Sequence, residues 1–94
     1  MQVNETTRYI KLKKKLNSDT LLSDKIEKSI NLFKLNKDDS SLHFKKIQCK
    51  KDKNRYSIRV VNTNFRILMT VYDEYVELFC VCNHDKYNLY NKTC

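Results

Sequence analysis

The 94-residue sequence contains no glycine, no proline and no tryptophan. Without glycine there is no glycine-rich loop to cradle a phosphate, which excludes P-loop and dinucleotide-binding proteins. Turns that need a positive φ must then use Asn or Asp, the next residues that tolerate the left-handed region. The sequence has ten Asn residues for this purpose.

Long apolar runs are also absent. No stretch approaches the roughly 20 apolar residues that a bilayer-spanning helix needs, and the first residues, MQVNETTRY, lack the apolar core of a signal peptide. We therefore expect a cytoplasmic protein with no membrane partner, and its four cysteines (Cys49, Cys80, Cys82 and Cys94) are predicted to be reduced thiols rather than a disulfide framework. The length suits one domain over residues 1–94, and a composition of 40% hydrophobic and 32% charged residues is typical of a folded chain.

Positive charge is concentrated in the middle of the chain. Residues 1–41 contain nine Lys and Arg against six acids, residues 42–66 contain eight against one, and residues 67–94 contain two against four. The net charge of +8 thus comes mainly from residues 42–66. Such a block favours a polyanionic partner, most simply RNA, bound in a salt-dependent way.

The hydrophobic pattern changes from a helical period to a strand period near residue 42. Tyr9, Leu12 and Leu16 predict a first helix, and an apolar stripe from Leu22 to Phe33 predicts a second helix capped by Ser18 or Asp19. Four β-rich runs follow: LHFKKI, RYSIRVV, FRILMTVY and YVELFCVC. Short links between them indicate antiparallel neighbours. The predicted fold is α+β, with an N-terminal helical hairpin packed on a twisted antiparallel sheet of about four strands; residues 1–6 offer a short additional strand.

Two arginines interrupt the apolar strands on either side of a tight turn. If Asn62–Thr63 forms a two-residue hairpin loop, Arg59 pairs with Arg66 on one face of the sheet. Directly opposed like charges destabilise a strand pair, and a phosphate between the two guanidinium groups would relieve the repulsion. The alternatives are that each arginine pairs with an acid or extends to solvent, or that a longer loop places the two on opposite faces.

A set of basic residues flanks the same strands. These candidate RNA-binding residues are Lys45, Lys46, Lys50, Lys51, Lys53 and Arg55. Such a set is often only a solvated face. Interleaved tyrosines and Phe65 favour the RNA-binding interpretation, because aromatic rings stack on unpaired bases.

His84 follows the last predicted strand and suits proton transfer near neutral pH. RNA cleavage by the neighbouring 2′-hydroxyl needs a base, an acid and cations around the phosphate; His84 would provide one proton transfer and the arginines the charge. The alternative is a surface histidine. The thiols of Cys80 and Cys82, two residues apart, lack the spacing of a zinc knuckle and are interpreted as core residues, so neither a metal nor another cofactor is predicted.

Taken together, the segments RYIKLKKKL, LHFKKI, YSIRVVNTNFRIL and VCNHDKYNLY resemble the RelE/ParE superfamily of toxins from bacterial toxin–antitoxin systems, most closely its RelE-like mRNA interferases. The resemblance covers residues from about 8 to 90. It implies a toxin that enters the ribosomal A site and cuts mRNA there without a metal, and that a cognate antitoxin silences. ParE-like members inhibit DNA gyrase instead, and a basic RNA-binding module without turnover is a third alternative.

The resemblance also assigns roles to individual residues. Arg66 matches the hairpin arginine that contacts the scissile phosphate, and Arg59 falls where a catalytic Lys or Arg occurs. His84 lies where members have the acid, and Tyr87 or Tyr90 would contact the substrate. The chain departs from the family pattern at Ser57, where some relatives have a second catalytic lysine, and at Cys82–Asn83, which replaces a glycine beside the histidine.

Overall fold

The computed structural model describes the backbone of residues 2–93 and the side chains of residues 2–89. Helices and strands follow the order βααββββα in sequence, with a short 3-10 turn after the second helix. The elements are β1 (Gln2–Glu5), α1 (Thr7–Leu16), α2 (Thr20–Leu35), the 3-10 turn (Ser40–Leu42), β2 (Lys45–Lys46), β3 (Arg55–Arg59), β4 (Phe65–Val71), β5 (Tyr75–Asn83) and α3 (His84–Thr93).

Side-chain caps fix where the first two helices begin. The Thr6 hydroxyl accepts the backbone N–H of Tyr9 at 3.2 Å, and the Asp19 carboxylate accepts the N–H of Leu22 at 3.0 Å. These bonds satisfy donors that have no partner inside the helix. The predicted apolar stripe of α2 is buried. The helical hairpin is therefore confirmed, with Asp19 as the cap of its second helix.

The sheet has five strands in the order β1-β5-β4-β3-β2. Three neighbouring pairs are antiparallel as predicted, but β1 lies parallel to β5, so the sheet is mixed and the prediction of about four antiparallel strands is incomplete. Thr6 anchors this extra strand, because its N–H and its hydroxyl both donate to the carbonyl of Leu78, at 3.2 and 2.8 Å. This contact spans 72 residues, and sequence pattern does not reveal such a pairing.

The α1 and α2 helices cover one face of the sheet and form the main core with it. Strands β3, β4 and β5 contribute apolar side chains to this core, and the helices contribute Tyr9 and the α2 stripe. The buried core residues of these strands are Ile58, Ile67, Met69, Val76, Leu78 and Val81, and Val60, just after β3, joins them.

A β-bulge in β5 changes which side chains face the helices. Leu68 pairs with Cys80 and Met69 pairs with Leu78, so Phe79 is an extra residue with no pairing partner on β4. One extra residue reverses the in–out alternation beyond it. Leu78 and Val81 consequently face the helices, whereas Cys80 and Cys82 face the opposite side, in a second cluster with Ile47, Leu68 and Tyr87.

The β3–β4 turn places Arg59 opposite Arg66, as predicted, but the last bonded pair is Val60–Phe65, so the loop comprises residues 61–64 rather than Asn62–Thr63 alone. Asn62 adopts a φ of 59°, as predicted for a chain without glycine, but His43 adopts a φ of 49°, so the prediction that Asn or Asp would take every such position is wrong. The Thr63 hydroxyl donates to the carbonyl of Val60 at 2.8 Å and accepts the N–H of Phe65 at 3.0 Å. The turn is thus held by side-chain bonds as well as by its backbone.

Two features of the chain differ from expectation. The segment after β5 forms a helix, α3, on the face of the sheet opposite α1 and α2. Cys49 is disulfide-bonded, so the prediction that all four cysteines are reduced is wrong. Pairing depends on proximity in the fold, which the spacing of cysteines along the sequence does not give.

Across residues 2–93, the helices are all too short or too polar to cross a membrane.

Ser29 connects α2 to the β3–β4 hairpin and gives a test of this packing. Its fully buried hydroxyl donates to the carbonyl of Lys25 at 2.7 Å and accepts the N–H of Val61 at 2.9 Å. Ser29→Ala leaves that N–H without an acceptor, so we expect a loss of about 1–3 kcal/mol in the free energy of unfolding, measured in urea. Ser23→Ala, which removes an exposed bond to Asn17, is the control and should change it by less than about 0.5 kcal/mol. Equal losses would contradict this role of Ser29.

Candidate functional site

Arg59 and Arg66 lie directly opposite each other on the face of the sheet that α1 and α2 leave uncovered. Arg59 donates from Nε to the carbonyl of Thr63 at 3.2 Å, so its side chain is held over the turn. The Nη1 atom of Arg66 is buried and has no hydrogen-bond acceptor. Among the side chains of residues 2–89, no carboxylate forms an ion pair with either arginine. A buried cationic donor without an acceptor, beside a like charge, is a site suited to an anion.

Tyr87 connects Arg66 to the first turn of α3. The guanidinium carbon of Arg66 lies 5.2 Å from the centroid of the Tyr87 ring, and the His84 ring is stacked on the same tyrosine with its centroid 6.1 Å away. The Tyr87 and Ser57 hydroxyl oxygens are 3.4 Å apart. Tyr87 is only 4% exposed, so its geometry suits holding Arg66 and His84 in place better than stacking on a base.

His84 is the first residue of α3, and its side chain is exposed. Asn83 caps this first turn of α3, because its side-chain oxygen accepts the N–H of Lys86 at 3.0 Å. The structure thus brings three of the five predicted catalytic residues, Arg66, His84 and Tyr87, into one cluster, with Arg59 across the strand pair. The fifth, Tyr90, has a side chain outside the described residues.

The predicted RNA-binding lysines divide into groups. Lys46, Lys50 and Lys53 line a cleft of about 370 Å³ together with Gln48 and Cys49. Among the described side chains that line this cleft there is no carboxylate, and its three lysines suit an anionic ligand. Outside it, Lys45 pairs with Ser57 at the strand edge and Lys51 is exposed in the following loop.

Arg55 differs from Arg66 because it has an acidic partner. Its Nη2 lies 3.3 Å from the carboxylate of Asp52, and its guanidinium carbon lies 4.0 Å from the centroid of Phe79. Burial alone would raise the pKa of Asp52, but hydrogen bonds from the Thr70 hydroxyl and the Asn54 N–H, with the charge of Arg55, lower it below its ordinary value. Sequence reasoning did not use Asp52, although it is the single acid in the basic block of residues 42–66.

Cys80 and Cys82 are buried thiols outside any disulfide. A hydrogen bond to Cys80, together with burial, raises the pKa of Cys82 well above its ordinary value, so this thiol stays protonated near neutral pH. In the part of the chain with described side chains, no cluster of three or more His, Cys, Asp or Glu residues is arranged to hold a metal ion.

The fold is that of known toxins from toxin–antitoxin systems. The YoeB/ParE toxin from Agrobacterium tumefaciens superposes with a TM-score of 0.72 at 15% identity, over 89% of this chain and 99% of that one. YafQ from E. coli strain BL21(DE3) gives 0.71 at 11% identity, over 92% and 96%. The structure of the YoeB–YefM toxin–antitoxin complex from Staphylococcus aureus gives 0.67 at 16% identity, over 88% and 94%.

No protein-family model matches the sequence, and no curated protein does either. The RelE-like fold that the sequence resemblance predicted is therefore confirmed by structure at identities of 11–16%. At this identity the likeness establishes the shared fold, while activity has to be argued from the site itself.

The different surroundings of Arg66 and Arg55 predict opposite effects on stability. Arg66→Met removes a buried donor without an acceptor and a like-charge contact, so we expect the free energy of unfolding to stay within about 0.5 kcal/mol of wild type or to increase. Arg55→Met, the matched control on the same sheet face, removes a partner of Asp52 and should cost about 1–2 kcal/mol. Urea unfolding measures both. A larger loss from Arg66→Met than from Arg55→Met would mean that Arg66 is structural.

Proposed function

We propose that this protein is the toxin of a toxin–antitoxin system and acts in the cytoplasm as a ribosome-dependent mRNA endoribonuclease of the RelE type. The observation that carries the proposal is the buried, acceptor-free Nη1 of Arg66, opposite Arg59 and packed on the tyrosine that also contacts His84. The proposal assigns charge stabilisation to the two guanidinium groups and one proton transfer to the imidazole in the cleavage of a ribose–phosphate link.

In the proposed reaction the 2′-hydroxyl of a ribose releases its proton to water as its oxygen attacks the adjacent phosphorus, which forms a 2′,3′-cyclic phosphate, and the bond to the 5′-oxygen of the next nucleotide breaks. Negative charge accumulates on the phosphate oxygens in the transition state, where Arg59 and Arg66 stabilise it. His84 takes part in one proton transfer, as the acid that protonates the departing 5′-oxygen. Tyr87, which contacts both side chains, fixes the positions of Arg66 and His84 relative to each other.

Contacts away from the cleavage point come from the lysines. Positive charge extends from the arginine pair along β2 and its loop through Lys45, Lys46, Lys50, Lys51 and Lys53. Phosphate contacts of this kind position a nucleic acid without reading its sequence, so the choice of cleavage point falls to the ribosome and the site. The proposed substrate is mRNA in the ribosomal A site.

The proposed protein partner is a cognate antitoxin. Support comes from the YoeB–YefM structure, in which a chain of this fold is assembled with an antitoxin. A net charge of +8 favours an acidic partner, because the association brings opposite charges together.

A cleavage assay in a translating extract tests the proposal. We expect the purified protein to cut mRNA at mapped positions, and Arg66→Ala and His84→Ala each to lower the cleavage rate by about 100-fold or more. Lys28→Ala is the matched control, because it removes an exposed positive charge from α2, on the other side of the sheet, and should leave the rate unchanged. Primer extension measures the cut positions and their rates.

Other outcomes would replace the proposal. Undiminished cleavage by the Arg66→Ala, His84→Ala double variant would place the catalytic groups elsewhere. Intact mRNA together with inhibited DNA supercoiling would identify a gyrase-directed toxin. Salt-dependent RNA binding with no cleavage, with or without ribosomes, would leave a binding module.

A further inference from the structure

The thiols of Cys80 and Cys82 lie together at the wall of a separate cavity. Both residues belong to the second cluster, and Leu12 of α1 packs against this cluster as well as against the main core. A cavity of about 200 Å³ reaches both of them. The residues proposed for RNA binding and cleavage do not include either thiol, so the proposed function gives this pair no role.

The spacing of the two cysteines suits a bridging ion better than a direct disulfide. Residues two apart on a strand have Cα atoms separated by about 6.6–6.8 Å, at the upper limit for a disulfide. An ion bound between the sulfurs widens the distance that the pair can span. Within the described side chains no third His, Cys, Asp or Glu completes a metal cluster, so a four-coordinate zinc site does not fit here.

The other residues that line the cavity determine which net charge a bound metal–thiolate complex can have. Leu12, Leu16 and Phe65 form an apolar wall, and Lys15 and Lys86 line the same cavity. Two thiolates and one monovalent ion carry a net charge of −1, which the two ammonium groups offset. Thiolates select soft ions. We propose that Cys80 and Cys82 form a two-coordinate site for monovalent copper.

Binding is a proton-for-metal exchange without a redox step. Each thiol releases its proton to solvent as its sulfur–copper bond forms, and copper stays in the monovalent state throughout. The disulfide of Cys49 is not altered by this exchange. Cys82 lies directly opposite Arg66 in the β4–β5 register, so the copper site adjoins the arginine pair, but it takes no ligand from the residues assigned to RNA cleavage.

Competition with a coloured copper chelator tests the site. The full chain, purified without reductant so that the Cys49 disulfide persists, is titrated anaerobically into the complex of monovalent copper with bicinchoninate. We expect one copper ion withdrawn per chain and a rise of several degrees in Tm, because the ion binds the folded state. Cys80→Ser and Cys82→Ser should each abolish the withdrawal and the rise in Tm, whereas Lys28→Ala should preserve both.

The wild-type measurements decide the outcome even if a serine variant fails to fold. No withdrawal of copper by the folded wild-type chain, or a fall in Tm on adding copper, would overturn the site. Withdrawal that persists in both folded serine variants would assign the copper to other groups and would also overturn it. mRNA cleavage by the copper-free chain bears on the nuclease proposal alone, so the two failures are distinguishable.

Discussion

The register between β3 and β4 is the constraint on which the candidate site depends. It places two guanidinium groups directly across a strand pair, an arrangement that is unfavourable unless an anion or another charge compensates it. The turn bonds of Thr63 and the Ser29 hydroxyl hold this register from both sides of the hairpin. The fold thus maintains a local repulsion that its own carboxylates, within the described residues, do not neutralise.

The two faces of the sheet differ in composition and in what they contribute to the protein. One face buries aliphatic side chains against α1 and α2 and provides most of the hydrophobic stabilisation. The other carries the arginines, the thiols and the smaller cluster around Tyr87. Arg66 and Arg55 show how finely the second face is divided: both are strand arginines that contact an aromatic ring, but an acid partners only Arg55. The same side chain is therefore part of the scaffold at one position and a candidate ligand-binding group at the other.

Much of the fold follows from local patterns in the sequence. The period of Leu22, Ile26 and Ile30 predicts α2, and the link at Asn62–Thr63 predicts the pairing of Arg59 with Arg66, because both depend on neighbouring residues. The parallel addition of β1, the helix at residues 84–93 and the disulfide of Cys49 depend on contacts between distant parts of the chain. Local propensity does not determine such contacts.

The candidate site divides in the same way. Residue chemistry and the family resemblance identify Arg59, Arg66 and His84 as a set, and the structure brings Arg66 and His84 together on Tyr87. The burial of Tyr87 and the pairing of Arg55 with Asp52 were not predicted, because each requires knowing which side chains meet across the sheet. The roles of these residues in RNA binding and cleavage remain predictions.

The extra residue at Phe79 affects how this chain can be compared with others of its fold. Beyond it, a strand aligned residue for residue with an unbulged counterpart would match inward positions to outward ones, and Cys82 would be equated with a core side chain. The correct correspondence needs a one-residue gap in β5. Residue roles in the segment around His84 therefore have to be assigned from the pairing of the strands and not from an ungapped sequence alignment.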